Sequence, residues 1–244
     1  MAAPELQRPA FYALRSGGWR DLITILHPPY TAWHLSYVAL GAAAAPVVHA
    51  DRLAAALGAF FLGVGVCAHA LDELHGRPLG TRLSDRALVA LAAVGLVGAV
   101  AIGVAGVIVV SPQLAPLVAA GAFFVIAYNL ELFGGRFHSD LWFAVAWGAF
   151  PAFTSYWANA LALRPAGVLV TAACLALSMA QRRLSTPARD LRRRTVAVHG
   201  EQRLADGRRV ELSAATLAAP LEGALSALSI AMVLLSAGLV AVRL

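Results

Sequence analysis

Charged residues are scarce in this 244-residue sequence: Asp, Glu, Lys and Arg make up 13 %, while apolar residues make up 60 %. Soluble domains average about 25 % charged and roughly 45–50 % apolar residues, so this chain has too little charge to cover a water-exposed surface. Lysine is absent and all nineteen basic residues are Arg, which excludes Schiff-base chemistry and Lys-dependent phosphate loops. The two cysteines, Cys67 and Cys174, lie in apolar runs, which excludes a disulfide framework and disfavours a Cys-based metal site.

Uncharged runs of about twenty residues recur along the chain, each near the length that crosses the hydrocarbon core of a bilayer. They lack the alternation of apolar and polar positions that membrane strands show. We therefore predict an all-α polytopic transmembrane helical bundle, with residues 1–25 as an N-terminal cytoplasmic segment and residues 26–244 as a single domain. About seven spans are expected, approximately at Tyr30–Ala50, Leu53–Leu71, Ala87–Val110, Leu114–Leu132, Leu141–Ala162, Ala166–Ala180 and Ala215–Val242.

The distribution of Arg predicts the orientation of these spans. With a cytoplasmic N-terminus, only Arg52, Arg164 and Arg243 lie outside, and the other Arg lie inside, as the positive-inside rule requires. We expect membrane lipids rather than nucleic acid as the partner of this basic surface. The predicted location is a bacterial-type plasma membrane with the active face toward the cytoplasm, and nothing in the sequence indicates an oligomeric state.

The longest polar stretch, residues 181–213, carries nine Arg and is predicted to be a cytoplasmic loop. Its guanidinium groups are expected to lie on anionic lipid headgroups, each contributing about 1 kcal/mol near the surface, and apart from the histidines described next. The alternative is that some of them bind a phosphate or diphosphate group.

Ionisable side chains concentrate at the predicted cytoplasmic ends of the spans. The string HALDELH closes the second span and places His69, Asp72 and Glu73 at i, i+3 and i+4, on one helical face. His75 follows just before Gly76, where the helix should break, so its ring could turn back toward the same site.

The fourth span and the first span contribute to the same side of the membrane. The fourth ends with Tyr128, Glu131 and His138, and His34 lies about one turn inside the first. Carboxylates at this depth cost several kcal/mol unless they are paired, hydrated or bound to a cation, and neighbouring carboxylates repel each other. A metal site is one explanation, with ligands drawn from His34, His69, Asp72, Glu73, His75, Glu131 and His138.

This mixture of imidazole and carboxylate ligands suits iron, manganese or zinc, whereas magnesium prefers oxygen donors alone. The structural alternative is that Asp72 and Glu73 form interfacial salt bridges with Arg77, Arg82 or Arg86. On that hypothesis His34 simply hydrogen-bonds to a neighbouring helix.

The order of these motifs is similar to that of the UbiA superfamily of intramembrane prenyltransferases. In HALDELHGRPLGTRLSD, Asp72 occupies the position of a motif carboxylate and Arg77 opens the RPLG segment. In AYNLELFGGRFHSDLWFAVAWGAFP, Tyr128, Arg136 and Gly148 follow the family's order from the fourth helix into the fifth. The resemblance covers roughly residues 21–162, and the family's second Asp-rich motif is absent, since MAQRRLSTPARDLRRR offers only Asp190.

The resemblance implies a helical bundle whose cavity opens to the cytoplasm, and magnesium as the cofactor of prenyl transfer. It implies catalytic roles for Asp72, Glu73 and Tyr128. The anionic head of the substrate would be oriented by a binding set of Arg77, Asn129 and Arg136.

Three functions remain open from the sequence. The first is a metal-dependent, UbiA-like membrane enzyme that acts on an isoprenoid or lipid substrate at the cytoplasmic face, and it predicts an elongated tail groove beside Tyr128. The second is a non-haem iron oxidase or hydroxylase, which predicts that the histidines cluster tightly. The third is a non-enzymatic membrane carrier that uses the same carboxylates as a proton or cation relay.

Overall fold

A computed structural model describes residues 8–244, which form a helical bundle and one short β-hairpin. The helices are α1 (Trp19–Ile25), α2 (Pro28–Ala44), α3 (Ala50–Phe60), α4 (His69–Leu74), α5 (Asp85–Val109), α6 (Ala115–Asn129), α7 (Leu132–Gly135), α8 (Asp140–Ala144), α9 (Phe150–Ala160), α10 (Pro165–Arg193) and α11 (Ala214–Arg243). The π-helical segment Phe61–Ala68 joins α3 to α4, a second one at Val145–Ala149 joins α8 to α9, and a 3₁₀ turn at Pro112–Leu114 precedes α6.

Five of these helical stretches are long and apolar enough to cross a membrane: Ala50–Leu74, Asp85–Val109, Pro112–Asn129, Pro165–Arg193 and Ala214–Arg243. This confirms the prediction of apolar membrane-spanning helices, whereas the count of seven is not confirmed. The first and fifth predicted spans correspond to α2 and to residues 140–160. Helix α2 has 17 residues, a rise of about 26 Å, slightly less than the roughly 30 Å hydrocarbon core.

Helix α2 lies in the middle of the bundle, packed against α9 and α11. Its large side chains Trp33 and Tyr37 are fully buried, and the Trp33 Nε1–H donates to the Tyr37 hydroxyl at 2.6 Å. The backbones of α2 and α9 touch at Gly41, where an added Cβ would lie only 2.0 Å from the Ala152 carbonyl oxygen. A small residue at this crossing is what allows the two helices to approach so closely.

Helix α10 is longer than predicted and corrects the assignment of residues 181–213 as a loop. It continues through Pro187 to Arg193. The Gln, Arg, Leu and Ala residues of this segment are compatible with a helix, and the packing of α10 against α2, α8 and α11 holds it in that form. The remaining polar residues form an exposed antiparallel hairpin of β1 (Gly200–Arg203) and β2 (Arg209–Leu212), with Gly200 opposite Leu212. Residues 181–193 of the arginine-rich stretch therefore lie on a helix.

The N-terminal segment packs against one end of the bundle. Arg193 Nε donates to the Pro9 carbonyl at 2.9 Å. The buried Asp21 carboxylate accepts the Gly17 N–H and the Arg82 N–H, each at 2.9 Å. Residues 8–25, predicted as a separate segment, thus tie α10 to the loop that follows α4.

Candidate functional site

A polar cavity of about 290 Å³ opens at the end of the bundle where α4 and α6 finish, where α2 and α8 begin, and where the last turns of α10 pass. Its lining is unusually rich in titratable and hydrogen-bonding groups for an apolar chain. The polar lining comprises Tyr12, His27, Tyr30, His34, His69, Asp72, Tyr128, Asn129, His138, Gln181, Arg182, Ser185, Thr186, Arg189, Asp190, Arg193 and Arg194.

The cavity brings together many of the residues that the sequence singles out. Four separate elements contribute them: α2, α4, α6 and the turn before α8. These cavity-lining residues are His34, His69, Asp72, Tyr128, Asn129 and His138. The convergence that the sequence analysis predicts is therefore present, although the roles assigned to the individual residues are still predictions.

Glu73 does not line the cavity, although it neighbours Asp72 in the sequence. Its side chain is 1 % exposed and points into the loop after α4. One carboxylate oxygen accepts the Leu79 N–H at 2.9 Å, and the other accepts the Thr81 N–H at 2.8 Å and the Thr81 hydroxyl at 2.9 Å. All of these bonds organise the RPLG loop, so the geometry gives Glu73 a structural partner in place of a metal or substrate.

Arg77, proposed to bind substrate, is also engaged by this loop. Its backbone has a φ of 54°, and its guanidinium forms a salt bridge with Asp85 and donates to the Leu83 carbonyl at 2.5 Å. His75 is exposed and lies outside the cavity lining.

The other two predicted residues outside the lining are Glu131 and Arg136, both of which are exposed. Glu131 is nevertheless close to a cavity residue, since its Oε1 lies 3.9 Å from the Nδ1 atom of His138. The ligand and binding roles predicted for His75, Glu131, Arg77 and Arg136 thus gain no support from their positions.

Three cavity histidines share one hydrogen-bonding pattern. Nδ1 of His34 lies 2.8 Å from the Trp147 carbonyl, Nδ1 of His69 lies 3.1 Å from the Gly65 carbonyl, and Nδ1 of His138 lies 3.1 Å from the Tyr128 carbonyl. A carbonyl only accepts, so each Nδ1 must carry the proton, which leaves Nε2 of the neutral ring with a free lone pair. Such an imidazole can accept a proton from a substrate or bind a metal ion.

A fourth imidazole, His27, stacks on His69 with ring centroids 4.1 Å apart. The Tyr12 hydroxyl lies 2.9 Å from the His27 Nδ1 atom. Burial, followed by electrostatic competition with the adjacent His69 ring for a proton, lowers the pKa of His27 well below its usual value. Burial raises the pKa of Tyr12 well above its usual value. Both groups are therefore neutral at neutral pH, and neither offsets the guanidinium charges around them.

Tyr128 forms part of an aromatic wall on the opposite side of the cavity. Its ring stacks on His138 at 4.5 Å and meets Trp147 edge-on at 5.5 Å. The neighbouring Asn129 donates from Nδ2 to the Val125 carbonyl at 2.7 Å, which fixes its side-chain amide.

The arginines of α10 are the part of the site that sequence reasoning places elsewhere. Arg182, Arg189 and Arg193 line the same cavity as the histidines, whereas the sequence analysis expects this cluster to lie apart from them. Their spacing of seven and four residues was the available signal, because it places all three on one face of a helix.

An apolar groove of about 150 Å³ adjoins the polar cavity. It runs between α3, α5, α6 and α9, and Val64 and Trp147 line both spaces. Along the second span the lining extends from Arg52 to Val64, a rise of about 18 Å. Tyr128 does not line this groove, but its ring contacts Trp147, which does.

The donor set of the cavity does not fit the magnesium that the family resemblance implies. Magnesium needs several oxygen ligands, but the cavity carboxylates are Asp72 and Asp190, and Asp190 lies 3.5 Å from the Arg194 guanidinium. Within residues 8–244, no three His, Cys, Asp or Glu side chains are grouped closely enough to hold a metal ion. Iron, manganese or zinc, which the histidines favour, is still a prediction.

Comparisons of the chain with protein-family models, with curated proteins and with solved structures found no match. The resemblance to the UbiA superfamily accordingly rests on the motifs alone.

Proposed function

We propose that this chain is an integral membrane enzyme with a UbiA-like helical bundle that acts on an isoprenoid or other lipid substrate at the cytoplasmic face. One observation carries the proposal: a polar, arginine-rich cavity and an apolar groove lie side by side and share Val64 and Trp147 in their linings. A substrate with a charged head and a long apolar tail matches this pair of spaces, because each part then occupies surroundings of its own polarity.

The topology proposed with this function has seven spans, with α2 and residues 140–160 crossing the membrane in addition to the five apolar helices. The cavity then opens on the cytoplasmic side, where the positive-inside rule places the arginines of α10.

The cavity supplies two of the groups that transfer of a prenyl chain requires. The bond between the prenyl carbon and its phosphate oxygen breaks, and guanidinium groups stabilise the departing anion. A new bond forms to a nucleophilic acceptor, whose proton passes to a base, and Nε2 of His69 or His34 has the free lone pair for that step. Tyr128 and Asp72 face the same space and are expected to position the head of the substrate.

Groove filling tests the proposal directly. Ala99 lines the groove on α5, and Ala99→Phe should place a ring in the tail path. Ala101 lies two residues away, is exposed, and is not among the groove residues, so Ala101→Phe is the matched control. In lipid nanodiscs we expect Ala99→Phe to weaken binding of a prenyl diphosphate at least tenfold and Ala101→Phe to leave it unchanged. Equal binding by both variants would contradict a tail-binding groove.

Activity is then measured as release of diphosphate from the same prenyl diphosphate in the presence of candidate hydroxyl or aromatic acceptors. Tyr128→Phe and Asp72→Asn should reduce turnover without lowering the unfolding midpoint. If both variants turn over at the wild-type rate, the cavity takes no part in the reaction.

The second candidate, a metal-dependent oxidase or hydroxylase, is favoured by the three imidazoles whose Nδ1 atoms are fixed on backbone carbonyls. Metal-binding histidines commonly show this arrangement. The guanidinium groups in the same cavity oppose it, because they repel a divalent cation, and we rank it second for that reason.

A further inference from the structure

The guanidinium groups on the cavity side of α10 carry an inference about the head of the substrate, and it rests on the function proposed above. We infer that the cavity binds a phosphate or diphosphate group directly through Arg189 and Arg193, assisted by Arg182, without a divalent cation. The arginines thereby replace the missing second Asp-rich motif as the groups that hold the anion.

The arginines of α10 differ in whether a carboxylate of the protein already pairs with them. Arg192 forms a salt bridge with Glu222, with a second contact of 2.8 Å from Nη2 to Oε2. Arg189 and Arg193, by contrast, form no ion pair with any carboxylate among residues 8–244. Arg189 donates to the Thr186 hydroxyl at 3.3 Å, and Arg193 donates to the Pro9 carbonyl at 2.9 Å.

Arg182 has a carboxylate partner, but at the edge of the site. Its Nε donates to Asp140 at 2.6 Å, and the Asp140 side chain is 59 % exposed. The guanidinium itself is mostly buried, and it lies over the Phe143 ring at 5.2 Å. The solvation of Asp140 weakens the pair, so we expect Arg182 to exchange this partner for an anion inside the cavity.

The charge in the cavity is positive after its ion pairs are set aside, which favours an anion. Four guanidinium groups line the cavity, but Arg182 is paired with Asp140 and Arg194 with Asp190, which leaves Arg189 and Arg193 against the single carboxylate of Asp72. Buried charges are expensive unless they are paired, and a planar guanidinium matches phosphate oxygens with two parallel hydrogen bonds. A phosphate or diphosphate satisfies this excess, whereas a divalent cation would add to it.

Two neutral side chains beside these arginines are left with incomplete hydrogen bonding. Gln181 is 2 % exposed, lines the cavity, and has a buried Oε1 atom without a hydrogen-bond partner among the described residues. An amide oxygen accepts, so a hydroxyl group of the ligand, such as a protonated phosphate oxygen, can satisfy it. Ser185 lies one turn further along the same face, and its hydroxyl has only a long contact of 3.4 Å with the Arg182 carbonyl.

The test uses the full chain in nanodiscs of zwitterionic lipid, with inorganic diphosphate as the probe and calorimetry as the readout. We expect the affinity to be the same within about twofold in excess EDTA and in millimolar Mg²⁺. Arg189→Gln and Arg193→Gln should each weaken binding about ten- to hundredfold, the effect of losing a charge-assisted hydrogen bond. Arg183→Gln is the matched control, because Arg183 is on the same helix, is exposed, and lies outside the cavity lining.

Arg189→Lys keeps the positive charge but loses the bidentate geometry, and it should bind with intermediate affinity. This variant keeps the test decisive if a Gln variant does not fold, which its unfolding midpoint will show. Binding that requires Mg²⁺, or wild-type affinity in both Gln variants, would overturn the inference.

A prenyl diphosphate serves as the second probe and separates a lipid head from a free anion. If the inference and the proposed function are both correct, the prenyl diphosphate binds more tightly than inorganic diphosphate, and Ala99→Phe removes only that gain. Equal affinity for the two probes would refute the lipid substrate while leaving the arginine site standing. Tight, Mg²⁺-dependent binding of the prenyl diphosphate would support the lipid substrate and refute cation-free binding by the arginines.

Discussion

Replacement of Glu73 tests whether this buried carboxylate holds a loop or takes part in chemistry. In Glu73→Ala, the Leu79 and Thr81 N–H groups both lose their acceptor, and the Thr81 hydroxyl can rotate toward another partner. Each unsatisfied buried donor costs about 1–3 kcal/mol. We therefore expect the free energy of unfolding to fall by about 4 kcal/mol.

Glu73→Gln should cost less, because it keeps one acceptor oxygen. When the amide oxygen of the new Gln faces Thr81, it keeps both hydrogen bonds to that residue. The NH₂ group then faces the Leu79 N–H, and because both are donors they cannot bond to each other. The expected loss is about 1–3 kcal/mol. Asp72→Asn is the matched control, since Asp72 is the adjacent residue and its side chain lines the cavity without a hydrogen bond to residues 8–244. It should change stability by less than about 0.5 kcal/mol.

The assay combines equilibrium unfolding in detergent micelles with diphosphate binding measured on the folded fraction. The expected pattern is a large loss of stability with unchanged binding in the Glu73 variants, and unchanged stability with altered binding in Asp72→Asn. Wild-type stability in Glu73→Ala would refute the loop assignment. If Glu73→Gln also abolished binding, the sequence prediction of Glu73 as a ligand or catalytic group would be supported.

Three further predictions follow from the packing, the topology and the ligand set. Gly41→Leu should destabilise the fold by more than about 3 kcal/mol, or prevent folding, since a Cβ there collides with the Ala152 backbone; wild-type thermal stability would show that α2 and α9 do not cross so closely. In the seven-span topology, Val47→Cys should react with an impermeant thiol reagent on intact cells and Ser84→Cys only after permeabilisation, and the opposite pattern would invert the bundle. Elemental analysis of the purified protein should find no stoichiometric metal; iron, manganese or zinc that His69→Ala removes would instead favour the oxidase.

The sequence predicts which residues gather at the site better than it predicts their hydrogen-bond partners. Polar groups at the ends of apolar spans are costly wherever the spans lie, so their convergence on one end of the bundle can be inferred from their positions alone. His34, His69, Asp72 and Tyr128 accordingly share a cavity. Their hydrogen-bond partners could not be inferred, because the Trp147 carbonyl that holds His34 is 113 residues away in the chain.

For the arginine-rich stretch, residues 181–213, the sequence alone does not predict the local structure. Its composition is compatible with a solvated loop or with a helix, and only the packing of α10 against α2, α8 and α11 decides between them. Once the helix continues to Arg193, its period turns Arg189 and Arg193 into the cavity and carries Arg192 to Glu222 on α11. Adjacent residues on a helix point about 100° apart, so neighbours in one basic run acquire different partners.

The sequence by itself determined that the chain is a bundle of apolar helices suited to a membrane, because long uncharged runs without apolar–polar alternation can satisfy their backbone groups in hydrocarbon only as helices. It also determined which end of the bundle collects the ionisable groups. Only the tertiary structure decided that Asp72 faces the cavity while Glu73 holds a loop, and that arginines share a pocket with histidines. The direction of each side chain depends on the helix against which it packs, and that helix comes from a distant part of the chain.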